Sequence, residues 1–135
     1  MVIEKKVIVN WKDENFFIYI GFAVNSSKYI IHEYLTQNNS SPFGDWLSQI
    51  SDKKARALVR TRLDRVRLGN LGDCKPVGDN IHELRIHYAQ GYRIYFALDG
   101  NKIVILLCGG SKKTQKKDIL KAKEYWADYK RRLHG

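Results

Sequence analysis

The sequence predicts an α+β fold in which a small antiparallel sheet packs against two N-terminal helices and a C-terminal helix, with an extra N-terminal segment ahead of them. Three observations carry this. Apolar residues recur at helical spacing in two separate places, at Ala55, Val59, Leu63 and Val66 and again at Ile119, Ala122, Trp126, Tyr129 and Leu133. Between them, three runs rich in β-branched and aromatic residues, 81–88, 92–97 and 103–108, follow one another across short turns, as adjacent antiparallel strands do. A chain of 135 residues, 44% hydrophobic, supplies one core and leaves no room for a second full domain.

Taken in order, residues 7–10 and 16–22 are β-branched or aromatic around a polar stretch at 12–15, which reads as a hairpin, and 25–28 read as a linker. Residues 1–28 are therefore expected to be an extension to a domain spanning 29–135. Residues 29–35 form a further strand that ends at the polar loop 36–40. Ser41 followed by Pro42 starts a helix, because the hydroxyl caps an orphan amide and proline supplies a pre-set φ. That helix runs to about residue 50. Ser51 and Asp52 repeat the capping chemistry for a second helix lasting to about 68. Gly69, Gly72, Pro76 and Gly78 then make a loop that delivers the chain to the strands. The 103–108 run is apolar throughout and is placed centrally, Asp99-Gly100-Asn101 being the turn before it. A closing helix occupies about 114–133.

A register follows from the first strand pair. If Ala89-Gln90-Gly91 is a three-residue loop with Gly91 left-handed, Arg85 faces Tyr95, His87 faces Arg93, Leu84 faces Phe96 and Ile86 faces Ile94. The sheet then has one greasy face, covered by all three helices, and one open face bearing two guanidiniums, an imidazole and a phenol.

The net charge of +10 narrows the function classes, and all of the excess lies after residue 40. A polyanion is the leading partner for such a surface, an anionic membrane the second, and plain solubility the bland alternative. The longest apolar run, 16–24, falls short of the ~20 residues of a membrane span, and Lys12, Asp13 and Glu14 directly before it do not suit a signal peptide. Cys74 and Cys108 lack metal-ligand spacing and read as reduced thiols, so a cytoplasmic location is expected.

Arg85, His87, Arg93 and Tyr95 are the kinds of group a metal-free RNA-cleaving site requires: cations for the charge building on phosphorus, and groups that exchange a proton. Ordinary outward residues of a half-solvated sheet are the competing reading. Lys112, Lys113, Lys116 and Lys117 crowd a helix start, where the helix dipole disfavours cations; with Gln115 they read as a phosphate cradle or as a solvated charged turn. Gly109-Gly110 allows close approach of a ligand. Lys75 and, from the one-signed second helix, Arg60 and Arg67 complete the expected RNA contacts. His32 and His134 read as incidental, and no metal site is expected.

Six stretches in order carry a resemblance: Ser-Pro-Phe-Gly-Asp-Trp (41–46), Arg-Leu-Gly-Asn-Leu-Gly-Asp (67–73), Lys-Pro-Val-Gly (75–78), Glu-Leu-Arg-Ile (83–86), Gly-Tyr-Arg-Ile-Tyr-Phe (91–96) and Leu-Leu-Cys-Gly-Gly-Ser-Lys-Lys-Thr-Gln (106–115). Together they resemble the RelE/ParE superfamily of bacterial type II toxins, and within it the HigB-like addiction module killer proteins, over residues 31–132. The resemblance implies a RelE-like toxin fold and a toxin that enters the ribosomal A site and cuts mRNA without a cofactor. It also implies a co-encoded antitoxin, commonly a helix-turn-helix, HigA-like protein. By the same resemblance Arg93 matches the phosphate-stabilising arginine, Arg85 falls near a basic strand position used in RNA contact, and Lys112 or Lys113 falls near another family cation. The family's late tyrosine has no counterpart among Lys116, Lys117 and Asp118, which leaves Tyr95 or His87 for proton transfer. A ParE-like inhibitor of DNA gyrase shares the fold and is the alternative, followed by a non-toxic nucleic-acid-binding module.

Overall fold

A computed structural model describes residues 28–134, so the expected hairpin and all of the expected linker 25–28 but Lys28 lie outside the described residues. The elements are β1 (Ile30–Glu33), α1 (Pro42–Gln49), α2 (Lys53–Arg67), β2 (Cys74–Gly78), β3 (Ile81–Ile86), β4 (Tyr92–Asp99), β5 (Ile103–Ser111), a 3-10 turn (Lys112–Thr114) and α3 (Gln115–His134). The architecture is the α+β arrangement expected, a five-stranded sheet with two helices before its main strands and one after. Strand order is β1-β5-β4-β3-β2. The strands β2 to β5 are an antiparallel meander, and β1 adds an edge strand parallel to β5.

The helix starts follow their capping chemistry. Ser41 Oγ accepts the Gly44 amide at 2.9 Å and donates to Glu33 at 2.6 Å, tying α1 to β1. Asp52 accepts the amides of Lys54 and Ala55 at 2.9 and 3.2 Å and opens α2. The expected loop 69–78 is corrected at its end, where 74–78 is a strand. Gly78, Asp79 and Asn80 all take left-handed φ and turn the chain back along itself, and Pro76 is tolerated because β2 is an edge.

A second correction concerns the two faces. Ala55, Val59, Leu63 and Val66 of α2 and Phe43 of α1 bury Leu84, Ile86, Ile94, Phe96, Val104 and Leu106, as the alternation requires. The closing helix is not with them. Ala122 and Trp126 of α3 cover Ile81, Tyr95, Ala97, Ile105 and Leu107 on the opposite face. Tyr34 and Tyr129 fix this helix by donating to Asp128 at 2.6 Å and to Asp99 at 2.8 Å. The face expected to be open is thus roofed over much of its length, because β5 is apolar on both sides and both must leave water.

Gly109 and Gly110 belong to β5, and each admits a side chain from one layer. A Cβ at Gly109 would overlap the Trp46 ring of α1, and one at Gly110 would overlap the Asp118 carboxylate of α3. Close approach is therefore used by the protein itself at both positions.

Arg62, one of the cations of α2, is a structural residue. Its buried guanidinium donates to the carbonyls of Arg85, Leu71 and Asp73 at 2.8, 2.8 and 2.9 Å, pinning α2 to the strand that carries Arg85. Removing it takes a donor from three carbonyls, of which Asp73 keeps the Arg85 amide. Arg62→Met is expected to lower unfolding free energy by about 3 kcal/mol, while Arg60→Ala, at an exposed position of the same helix, changes it by less than about 0.5 kcal/mol. Urea denaturation of the two variants checks the difference.

Candidate functional site

The β3–β4 connection is residues 87–91, longer than a three-residue loop. Ala89 (φ 53°) and Gly91 (φ 83°) both turn left-handed, and the Gly91 amide donates to the Tyr88 carbonyl at 2.9 Å. The register accordingly moves two residues from the expected one: Arg85 faces Arg93, Glu83 faces Tyr95, Leu84 faces Ile94, and His87 lies beyond the paired strand. A slip of two preserves the face of every side chain, so Arg85, Arg93 and Tyr95 still share one side.

Two guanidiniums directly opposite repel each other unless an anion intervenes. Glu83, 0% exposed, is that anion. Its Oε1 accepts from Arg85 Nε at 3.1 Å, its Oε2 accepts from Tyr95 Oη at 2.9 Å and from Gln115 Nε2 at 2.8 Å, and Arg93 Nε lies 3.7 Å from Oε2. Burial alone would raise the Glu83 pKa. The hydrogen bonds from Gln115, Arg85 and Tyr95 and the charge of Arg93 outweigh it and hold the carboxyl below the ordinary glutamate value. Tyr95 moves the other way: burial, then the hydrogen bond to Glu83, pushes its phenol far above the usual tyrosine range. Fully buried, with its proton committed to Glu83, Tyr95 fits a positioning role and does not fit proton transfer to a substrate. Gln115 likewise holds Glu83 from the first turn of α3 instead of presenting its amide to solvent.

Glu83 serves both guanidiniums, Asp73 also faces Arg85, and the surrounding lysines supply the excess of positive charge. Arg93 is 9% exposed, and its Nε and Nη1 are buried without a hydrogen-bond acceptor. Arg85, with 26% of its side chain exposed, opens the pair to solvent. Around it Lys75 stands opposite Glu83 on β2, exposed. Lys112 and Lys113 on the 3-10 turn and Lys116 and Lys117 on the next turn are exposed beside Gln115. The arrangement offers oriented guanidinium N–H donors with exposed ammonium groups around them, which is the chemistry of phosphate recognition.

His87 is 71% exposed, and its Nε2 is 2.5 Å from Asp73 Oδ2. The Asp73 carbonyl is fixed by the Arg85 amide at 3.0 Å and by Arg62, and the His87 hydrogen bond holds the Asp73 carboxyl below the usual range. An oriented imidazole therefore stands at the Arg85 end of the cluster. Arg60 and Arg67 are not brought to it. They sit on α2, which covers the other face, and Arg67 pairs with Asp64 at 2.6 Å. Sequence reasoning missed Glu83 and Asp73 as partners; the available signal was a lone acid alternating with arginine on a strand. Among the described residues no three His, Cys, Asp or Glu side chains gather as a metal site.

The family model described as "Phage derived protein Gp49-like (DUF891)" matches residues 45–126, more than half of the chain. The chain belongs to the Gp49-like family. This is a family of RelE/HigB-like toxins. The chain is also similar to an uncharacterized protein of Haemophilus influenzae, with 49% identity over 81 residues, covering 60% of this chain and 82% of that protein. The family match runs from α1 into α3 and so contains the whole Glu83 cluster. Among the described residues no helix of this Gp49-like protein is long and apolar enough to cross a membrane.

The lowered Glu83 pKa makes an acid-stability prediction. A carboxyl with a depressed folded-state pKa contributes stability that is fully present above its unfolded value of about 4.3 and is lost as pH falls through the folded value. Glu83→Gln is expected to unfold more easily at neutral pH and to show a shallower loss of stability than wild type on acidification below about pH 4. Urea titrations across pH measure this, and parallel acid limbs would assign the carboxyl no such contribution.

Proposed function

We propose that this Gp49-like protein is the toxin of a type II toxin–antitoxin pair of the HigB-like kind, acting in the cytoplasm as a ribosome-dependent mRNA endoribonuclease. The observation that carries the reading is Arg93: a guanidinium held nine-tenths buried beside a second one, with two nitrogens lacking an acceptor. Glu83 holds this group through Nε, and the pair it forms with Arg85 is a pre-set cationic surface for charge that develops in a substrate.

In this reading the scissile phosphate lies across Arg85 and Arg93, and its non-bridging oxygens accept their N–H bonds. The neighbouring 2'-oxygen attacks phosphorus and the bond from phosphorus to the 5'-oxygen breaks, leaving a 2',3'-cyclic phosphate and a 5'-hydroxyl. His87, oriented by Asp73, accepts the 2'-hydroxyl proton, and the exposed ammonium of Lys112 donates a proton to the departing 5'-oxygen. Glu83, Tyr95 and Gln115 hold the arginines in place. Lys75, Lys113, Lys116 and Lys117 contact phosphates along the strand. The co-encoded antitoxin, of the HigA-like helix-turn-helix kind, would cover this basic surface, and the ribosome would present the message.

Induced expression with sequencing of RNA ends tests the reading. Wild type is expected to arrest growth and to generate new 5'-hydroxyl ends; Arg93→Gln is expected to lower cleavage by roughly 100-fold or more with the fold intact, as loss of a pre-aimed charge donor does. Arg60→Gln should cut as wild type. Growth arrest with unchanged RNA ends and altered plasmid supercoiling would instead support gyrase inhibition.

A further inference from the structure

A groove of about 490 Å³ lies at the end of the sheet, between the α1–α2 connection, the β3–β4 turn, the last residues of β5 and the start of α3. The cleavage chemistry above leaves it unused. Its floor is aromatic. The Trp46 ring is seated over Gly109, packs 5.7 Å from Phe43 and meets Tyr92 edge-on at 6.4 Å, so its plane is fixed from below and from the side. Trp46 is only partly buried, and its remaining surface lines the groove.

The walls are polar and ungrouped. Gln49 at the end of α1 and Gln90 in the β3–β4 turn line it, both exposed and, among the described residues, without a hydrogen-bond partner for the side-chain amide, while the lining carboxylates Asp52 and Asp118 are engaged by Tyr88 and Thr114. Ser111 and Lys117 close the side toward the cation cluster. The groove also touches that cluster through the backbone: Gly110, which lines it, is the cross-strand partner of Arg93.

We propose that this groove takes an unpaired nucleobase of the RNA strand whose phosphate is held by Arg85 and Arg93, the base stacking on Trp46 and being read at its edge by Gln49 and Gln90. The inference rests on the RNA-cleaving reading and adds a specificity subsite to it. The chemistry fits one occupant class. A rigid indole offers a stacking platform to any base, and carboxamides with both a donor and an acceptor free match a base edge, which presents both. The volume is that of a small-ligand cleft, and Lys117 lies where the following phosphate would pass.

Two uncleavable probes separate the base from the backbone: a single-stranded 2'-O-methyl oligonucleotide of mixed sequence, and an abasic chain of equal length and charge. By fluorescence anisotropy at fixed salt, wild type is expected to bind the base-bearing strand roughly 5- to 100-fold more tightly than the abasic one, the range set by stacking of one base. Trp46→Leu should remove most of that preference. Gln90→Ala, at an exposed turn where folding is not at stake, should reduce it and change which base is preferred. Arg93→Gln should weaken both probes alike. Equal affinity of wild type for the two probes overturns the base subsite while leaving the phosphate site standing, as does full preference retained by both groove variants. Failure of wild type to bind either probe overturns the phosphate site and the subsite together.

Discussion

The arrangement depends on one buried carboxylate. Glu83 sits between two cross-strand arginines and accepts hydrogen bonds from Arg85, Tyr95 and Gln115, with Arg93 alongside. Without it, Arg85 and Arg93 would repel across the ladder and splay toward water. With it, their positions are set by β3, β4 and α3 at once, and the exposed lysines around them keep the surface cationic. Burying a charge costs several kcal/mol unless geometry and hydrogen bonds repay it, and here three donors and a second cation do so. The cost is better explained by a need to aim guanidinium groups than by stability, since an apolar residue at position 83 would serve a purely structural strand.

The two layers divide the labour. The α1–α2 layer closes the greasy face and supplies Arg62, which fastens the Arg85 strand from behind, and Trp46, which lies over Gly109. The α3 layer closes most of the other face with Ala122 and Trp126, and Gln115 of its first turn reaches Glu83 between the two arginines. Arg93 is buried there, and Arg85 opens the cluster to solvent. Phosphate binding at that opening, as proposed, would have a low-dielectric floor on one side and exposed lysines on the other.

Much of this was legible in the sequence, for reasons tied to particular residues. Ser41-Pro42 and Asp52 mark helix starts by local chemistry, and the seams of α2 and α3 follow from period alone. The side of the sheet shared by Arg85, Arg93 and Tyr95 was also readable, because alternation survives any slip of two residues. Partnership was not. It depended on Ala89 adopting a left-handed φ that alanine rarely takes, which lengthens the loop and sets Arg85 against Arg93. The face chosen by α3 was missed although the signal was present: Ile103, Ile105 and Leu107 on the supposedly open side needed a cover. The strand character of 74–78 was hidden by its glycine and proline. Glu83 enters the sequence reading only as the first residue of the Glu-Leu-Arg-Ile stretch, since burial and multiple donors are tertiary facts.

The central claim is that Glu83 fixes Arg85 and Arg93 as one phosphate-gripping unit. The most direct measurement is ¹⁵N–¹H NMR of the arginine Nε–Hε groups during titration with an uncleavable single-stranded RNA. The account predicts sharp, slowly exchanging Nε–Hε signals from Arg85 and Arg93 in the free protein, both shifting along one binding curve, with Arg60 unmoved. Arg85 and Arg93 signals that are averaged with solvent in the free protein, or that stay in place while Arg60 and Arg67 shift, would contradict it.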